Sequence, residues 1–136
     1  MSESRTFTVA GAAATKGSTI GIWSPAEARV ITRTDSARLA VWTHAVQWAA
    51  KAARVRCVPK PRAVRVEACC ILPARAGEAR PTRPPDIDKI ARALLDALTG
   101  VAYADDAQVT ELVISKAYGA APATTITIAE AERTRR

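Results

Sequence analysis

Five of the six aspartates in this chain fall between positions 86 and 106: Asp86, Asp88, Asp96, Asp105 and Asp106. Elsewhere glutamate is the dominant acid. Short carboxylates brought into one small volume repel each other unless a cation lies between them. A set that offers only oxygen selects Mg²⁺ or Mn²⁺ over zinc or copper. Such a cation, bridging a phosphate, activates water and neutralises the leaving oxygen, which points to phosphodiester hydrolysis. Each half of the cluster also has an ordinary structural reading. Asp86 at a helix N-cap would accept a backbone N–H, and Asp88 in the first turn is favoured by the helix dipole. The second acidic pair, Asp105–Asp106, shifts the balance towards a shared cation site with Asp86 and Asp88. The helix between the two groups would be roughly 20 Å long. The six residues 100–105 reach about that far when extended, so a fold-back that brings Asp106 near Asp88 is permitted. Arg92 lies one turn beyond Asp88 on the same helix face, placed either to pair with Asp88 or to meet a phosphate in the transition state.

The elements that must position these residues are legible in the periodicity. Ile87, Ile90, Ala91, Leu94, Leu95 and Leu98 recur at helical spacing, with Pro85 before them and Gly100 behind. Asp96 is expected on the buried-leaning side of this helix. Residues 36–54 predict an earlier helix, capped by Asp35 or Ser36, with Leu39, Trp42, Val46, Ala49 and Ala53 as its stripe and Trp48 at a partly covered edge. Strands are predicted around Phe7 and Val9, around Val30 and Thr32, through Val64, Val66, Ala68, Cys70 and Leu72, and in two final runs, VTELVISKAYG and TTITIAE. The stretch GAAATKGSTIG between the first two strands is expected to be loop. The order predicts an α+β fold, a single domain spanning 1–136 with one mixed sheet backed by two helices. Residues 73–85, rich in Arg, Pro and Gly, predict a mobile loop, and 133–136 a short basic tail.

The net charge is +7, and residues 51–92 alone hold eleven Lys/Arg against four acids. That concentration suits a polyanionic partner, because each phosphate contact releases counterions. Arg75, Arg80 and Arg83, in a loop without apolar pattern, are the expected contacts to a DNA backbone. Cys57, Cys69 and Cys70 show no CxxC spacing, and with one histidine, His44, they argue against structural zinc. No apolar run is long enough to span a membrane, and the first residues lack a secretory pattern. A reducing, cytoplasmic setting is expected.

The run DIDKIARALLDALTGVAYADDAQVTEL resembles the signature of the RusA family of crossover-junction endodeoxyribonucleases, in which DxDN, a nearby lysine, LDAL and DDxQV follow in that order. The resemblance implies a magnesium-dependent homodimer that resolves four-way DNA junctions (Holliday junctions) by paired nicks, with Mn²⁺ able to substitute. It matches Asp86 and Asp88 to the family's first two catalytic aspartates and Asp106 to the third. Asp105 and Asp96 fall at acidic positions that support the site or bond to backbone. Three departures stand out. Lys89 replaces the usual asparagine, the family's lysine falls at Arg92, and a basic element near the N-terminus keeps only Lys16 and Gly17, leaving Lys16 as a further DNA contact. Arginine cannot act as a base, so Arg92 would serve electrostatically, or Lys89 would supply the missing ammonium. Two other readings share the scaffold: a DNA-binding protein that no longer cuts, and a nuclease of flaps or forks.

Overall fold

The computed structural model describes residues 4–15, 19–26, 28–34 and 36–131. Lys16, Asp35 and the tail 133–136 lie outside them. Strands β1 (Arg5–Ala10), β4 (Val64–Pro73), β5 (Val109–Gly119) and β6 (Ala123–Glu130) form one sheet in the order β1-β6-β4-β5. Strands β2 (Thr19–Ser24) and β3 (Arg29–Thr34) pair with each other as a separate antiparallel hairpin. Helices α1 (Ser36–Ala52) and α2 (Ile87–Leu98) complete the α+β domain. Strand β2 occupies part of the stretch expected to be loop. Its Ile20 and Ile22 flank Gly21, and the nearby Gly17 and Gly21 make so short an alternation read as loop.

The central strand β4 alternates without a break, its Val64, Val66, Ala68, Cys70 and Leu72 buried and the residues between them half-buried or exposed. It runs antiparallel to β6 and parallel to β5. A parallel neighbour needs a crossover, and α2 supplies it. Cys69 and Cys70 point to opposite faces, as a period of two demands. The face away from the core is polar. Thr6 bonds to Thr127 at 2.9 Å and Thr8 to Thr125 at 3.2 Å across β1 and β6.

Helix α1 buries Trp42, Val46 and Ala50 and packs on β1 and α2. Trp48, expected at a covered edge, is 77 % exposed, because it falls outside that stripe. The helix ends in a Schellman-like turn, with the Val55 N–H donating to the Ala50 carbonyl at 3.0 Å. Arg54 takes the left-handed position in that turn, φ 61°. Glycine is the usual residue there, and a side chain in this conformation costs about 1–2 kcal/mol.

Helix α2 divides the stripe expected of it. Ile90, Ala93, Leu94, Ala97 and Leu98 are buried against the core, whereas Ile87, Ala91 and Leu95 turn towards an open groove beside β5. Twelve residues of helix present more apolar surface than one sheet face covers. Gln47 ties α1 to the end of α2 by donating to the Ala97 carbonyl at 3.1 Å. Leu94 is fully buried in the core that α1, α2 and the sheet share. Leu94→Ala is therefore expected to lower the unfolding free energy by about 2–5 kcal/mol, measured by urea denaturation. A loss below about 1 kcal/mol would contradict this packing.

Candidate functional site

The groove between α2 and β5 is lined by Ile87, Asp88, Ala91, Arg92, Leu95, Asp96, Asp106, Leu112 and Ile114, and encloses about 650 Å³. Its floor is apolar and its polar groups are three carboxylates and one guanidinium. Asp88 stands on the first turn of α2. Asp96, eight residues on, lies about 12 Å further along the axis. The connector does fold back, bringing Asp106 into the same groove as Asp88. Asp96 and Asp106 both act on the buried Tyr103 hydroxyl, which donates to the Leu95 carbonyl at 2.7 Å. Burial first, and then these two negative charges, raise the Tyr103 pKa far above the ordinary phenol range. Asp96, expected on the buried-leaning side, is instead exposed on the groove wall, because the core-facing stripe runs through Ala93 and Ala97.

Asp86 is the N-cap of α2, but its side chain makes no capping bond. Half exposed, it stands 3.7 Å from the Lys89 ammonium, one residue before the groove-lining Ile87. Its carboxylate is thus not consumed in stabilising the helix. Lys116 on β5 fixes the backbone just before it, donating to the carbonyls of Arg83 at 3.1 Å and Pro85 at 2.9 Å. Arg92 is exposed on the groove and forms no ion pair with Asp88 among the described residues.

The loop that carries Arg75, Arg80 and Arg83 is exposed at all three arginines but is fastened at several points. Glu78 accepts from Arg83 at 2.9 Å and from the Tyr118 hydroxyl at 2.5 Å, and Pro81 is buried.

The second acidic pair divides its labour. Asp105 caps a short 3₁₀ turn, Asp106–Gln108, accepting from the Ala107 N–H at 3.0 Å and pairing with Lys60 at 3.1 Å. Those two contacts, the backbone bond first, hold its carboxyl below the usual range. Gln108 is buried and completes the capping box, accepting from the Asp105 N–H at 2.9 Å. Its amide donates to the carbonyls of Val58 and Arg62, both at 3.0 Å. Gln108 and Lys116 are the two positioning residues that sequence reasoning missed. For Gln108 a signal existed, the Asp-x-x-Gln spacing of a capping box. For Lys116 there was none, because its partners are backbone carbonyls 31 and 33 residues away.

The donor set offers oxygen alone, the chemistry of a hard divalent cation. Among the described residues, however, no three His, Cys, Asp or Glu side chains stand together closely enough to hold a metal ion. Mg²⁺ commonly takes one or two carboxylates and completes its shell with water and substrate phosphate. The groove fits that mode, and it does not fit an all-protein cage.

A family model described as endodeoxyribonuclease RusA matches residues 23–129. A curated protein of Bacillus subtilis (strain 168), "Uncharacterized protein YqaN", is similar at 40 % identity over 57 residues. That match covers 42 % of this chain and 40 % of the relative, so it spans less than half the relative's length.

Two expectations follow for the acidic turn. Gln108→Leu leaves three backbone groups without their partner and is expected to cost about 1–3 kcal/mol or more in urea denaturation. The lowered Asp105 carboxyl adds stability that is fully present above its unfolded pKa of about 3.9 and is lost as pH falls through its lower folded value. The melting-temperature gap between native protein and Asp105→Asn should accordingly close as pH drops from 7 to 3. A gap unchanged over that range would remove Asp105 from the pH response.

Proposed function

Because the chain belongs to the RusA family of endodeoxyribonucleases, we propose that it is a magnesium-dependent nuclease that resolves four-way DNA junctions by paired phosphodiester hydrolysis. The observation that carries this reading is the sharing of one groove by Asp88, Asp106 and Arg92, residues drawn from both ends of the crossover between β4 and β5. Asp88 and Asp106 would hold the cation, with Asp86, next to Ile87 of that groove, able to reach it through water. Bound there, it would supply charge neutralisation at the scissile phosphate.

The chain's own residues do the rest. Arg92 offers a planar fork of donors to phosphate oxygens, so it opposes charge developing in the transition state. It cannot serve as a base. Lys89, resting against Asp86, brings an ammonium to the helix start. Arg75 and Arg80 face solvent on the loop before α2 and would contact the strand entering the groove, joined by Arg83 when phosphate competes with Glu78 for its guanidinium. Lys16 would add a contact from the β1–β2 connection. A homodimer related by a two-fold axis would present two such grooves to the symmetry-related strands of a junction. Sedimentation at micromolar concentration, with and without junction, should give twice the chain mass; a monomer in both conditions would defeat this part.

One observation favours a second reading, a DNA-binding protein that keeps the scaffold without cutting: Lys89 and Arg92 stand where the resembling family carries asparagine and lysine. A labelled four-way junction incubated with and without Mg²⁺ separates the two. Asparagine preserves the shape of aspartate but not the charge that holds a hard cation. Asp88→Asn and Asp106→Asn should each abolish cleavage while junction binding persists or tightens, since less negative charge then repels phosphate. Arg92→Lys should retain most cleavage, and Arg92→Ala should lose at least about tenfold, roughly 1.4 kcal/mol in the barrier. Wild-type rates in either asparagine variant would remove that aspartate from the catalytic site, and no cleavage by the native protein with Mg²⁺ would end the nuclease assignment.

A further inference from the structure

A second cavity, of about 460 Å³, opens where the start of β1 and the end of β6 meet the segment after α1. It is lined by the arginines Arg5, Arg54, Arg56 and Arg62, with Val55, Val58 and Ile128 among its apolar walls. It shares no residue with the acidic groove. The single acid in it, Glu130, is taken up by Arg62 at 3.0 Å. Neither Arg54 nor Arg56 has an ion-pair partner among the described residues. Arg54 and Arg56 thus bring two uncompensated guanidiniums to one concavity, and their repulsion is relieved by an anion.

The backbone adds a second observation. Arg54 sits in the left-handed position that closes α1, where glycine is the residue of least strain. A favourable interaction with the helix C-terminus would be met equally by Lys51 in the last turn, so it does not by itself require an arginine at this strained site. An outlier of this kind points to a function for the side chain it displays.

We propose that this pocket binds phosphates of the DNA backbone, as an anchoring site separate from the cleavage groove. The proposal rests on the nuclease reading and assigns its substrate a second contact surface. Guanidinium forks suit phosphodiester oxygens, and the apolar walls suit sugar edges. The pocket is also mechanically joined to the acidic turn. Val58 and Arg62 line it, and their carbonyls are the two that Gln108 holds. The Val58 N–H donates to the Ala102 carbonyl at 2.9 Å, and Lys60 pairs with Asp105. A strand anchored here is therefore registered against the segment that fixes Asp106.

The test uses the full-length protein and a labelled four-way junction in chelator, so that nothing is cut. Arg54→Gly and Arg56→Gln should each reduce the slope of log affinity against log salt by about 0.9, and together weaken binding by about tenfold or more at physiological salt. Arg54→Gly should at the same time keep or raise the melting temperature, because it removes the backbone strain; a purely structural role would leave binding unmoved. Cys57 provides an independent readout, since it is exposed on the pocket wall while Cys70 is buried and Cys69 half-buried. Bound junction should slow its alkylation by N-ethylmaleimide several-fold, and millimolar pyrophosphate should do so far less. Junction binding with unchanged slopes and unprotected Cys57 would overturn the pocket alone. Protection by pyrophosphate but not by junction would assign the pocket to a small anion and overturn it too. A native protein that binds no junction would overturn the nuclease reading together with the pocket.

Discussion

Gln108 engages both ends of its amide with the main chain. One end accepts from Asp105, and the other donates to Val58 and Arg62. A buried amide bonded in this way ties three stretches of chain at once: the acidic turn, the segment after α1 and the start of β5. The Tyr103 hydroxyl on the Leu95 carbonyl and the Val58 N–H on the Ala102 carbonyl extend the same knot towards α2. Without it the residues between α2 and β5 would be free to close their connection in many ways, and Asp106 would have no fixed position. Each bond contributes only about 1 kcal/mol net, yet losing a buried partner costs more than making the bond gains. That asymmetry is what holds Asp106 in the groove.

The distribution of charge follows from the same frame. Carboxylates lie along one groove on the β5 edge, while guanidiniums surround a cavity near β1 and crowd the loop before α2. Lys60 with Asp105 and Lys89 with Asp86 mark the borders between the two signs. A negative groove within a positive surface is the arrangement expected where phosphate must be attracted overall and a cation retained locally. The exposed pairs themselves contribute little stability.

Most of the architecture was legible because strong alternation and helical spacing survive in β4, β6, α1 and α2. Where two periods competed, sequence reasoning erred. The apolar residues of α2 serve two surfaces, and a single stripe drawn through Ile87, Ala91 and Leu95 merged the core with the groove and put Asp96 on the wrong side. Strand β2 was hidden because glycines interrupt an already short alternation. The acidic residues were findable by type and spacing, but which of them share a groove was not. That depends on the path of ten connecting residues and on bonds to carbonyls that carry no sequence signal. Lys116 is the clearest case: nothing about a lysine on a strand indicates that it fixes the entry to a helix.

The sheet order places β6, the last of the described strands, between β1 and β4. Thr6 and Thr127, joined by a hydrogen bond, are 121 residues apart. Among the described residues β1 pairs with β6 alone, so the first strand of the sheet stays unpaired until a strand more than a hundred residues later joins it. Assembly during synthesis must wait for the whole domain, and contacts this distant in sequence slow folding. Until β6 inserts, β1 and one edge of β4 remain open to pairing with another chain, and the βαβ unit that carries the acidic groove is left with half of its central strand's hydrogen bonds unmade.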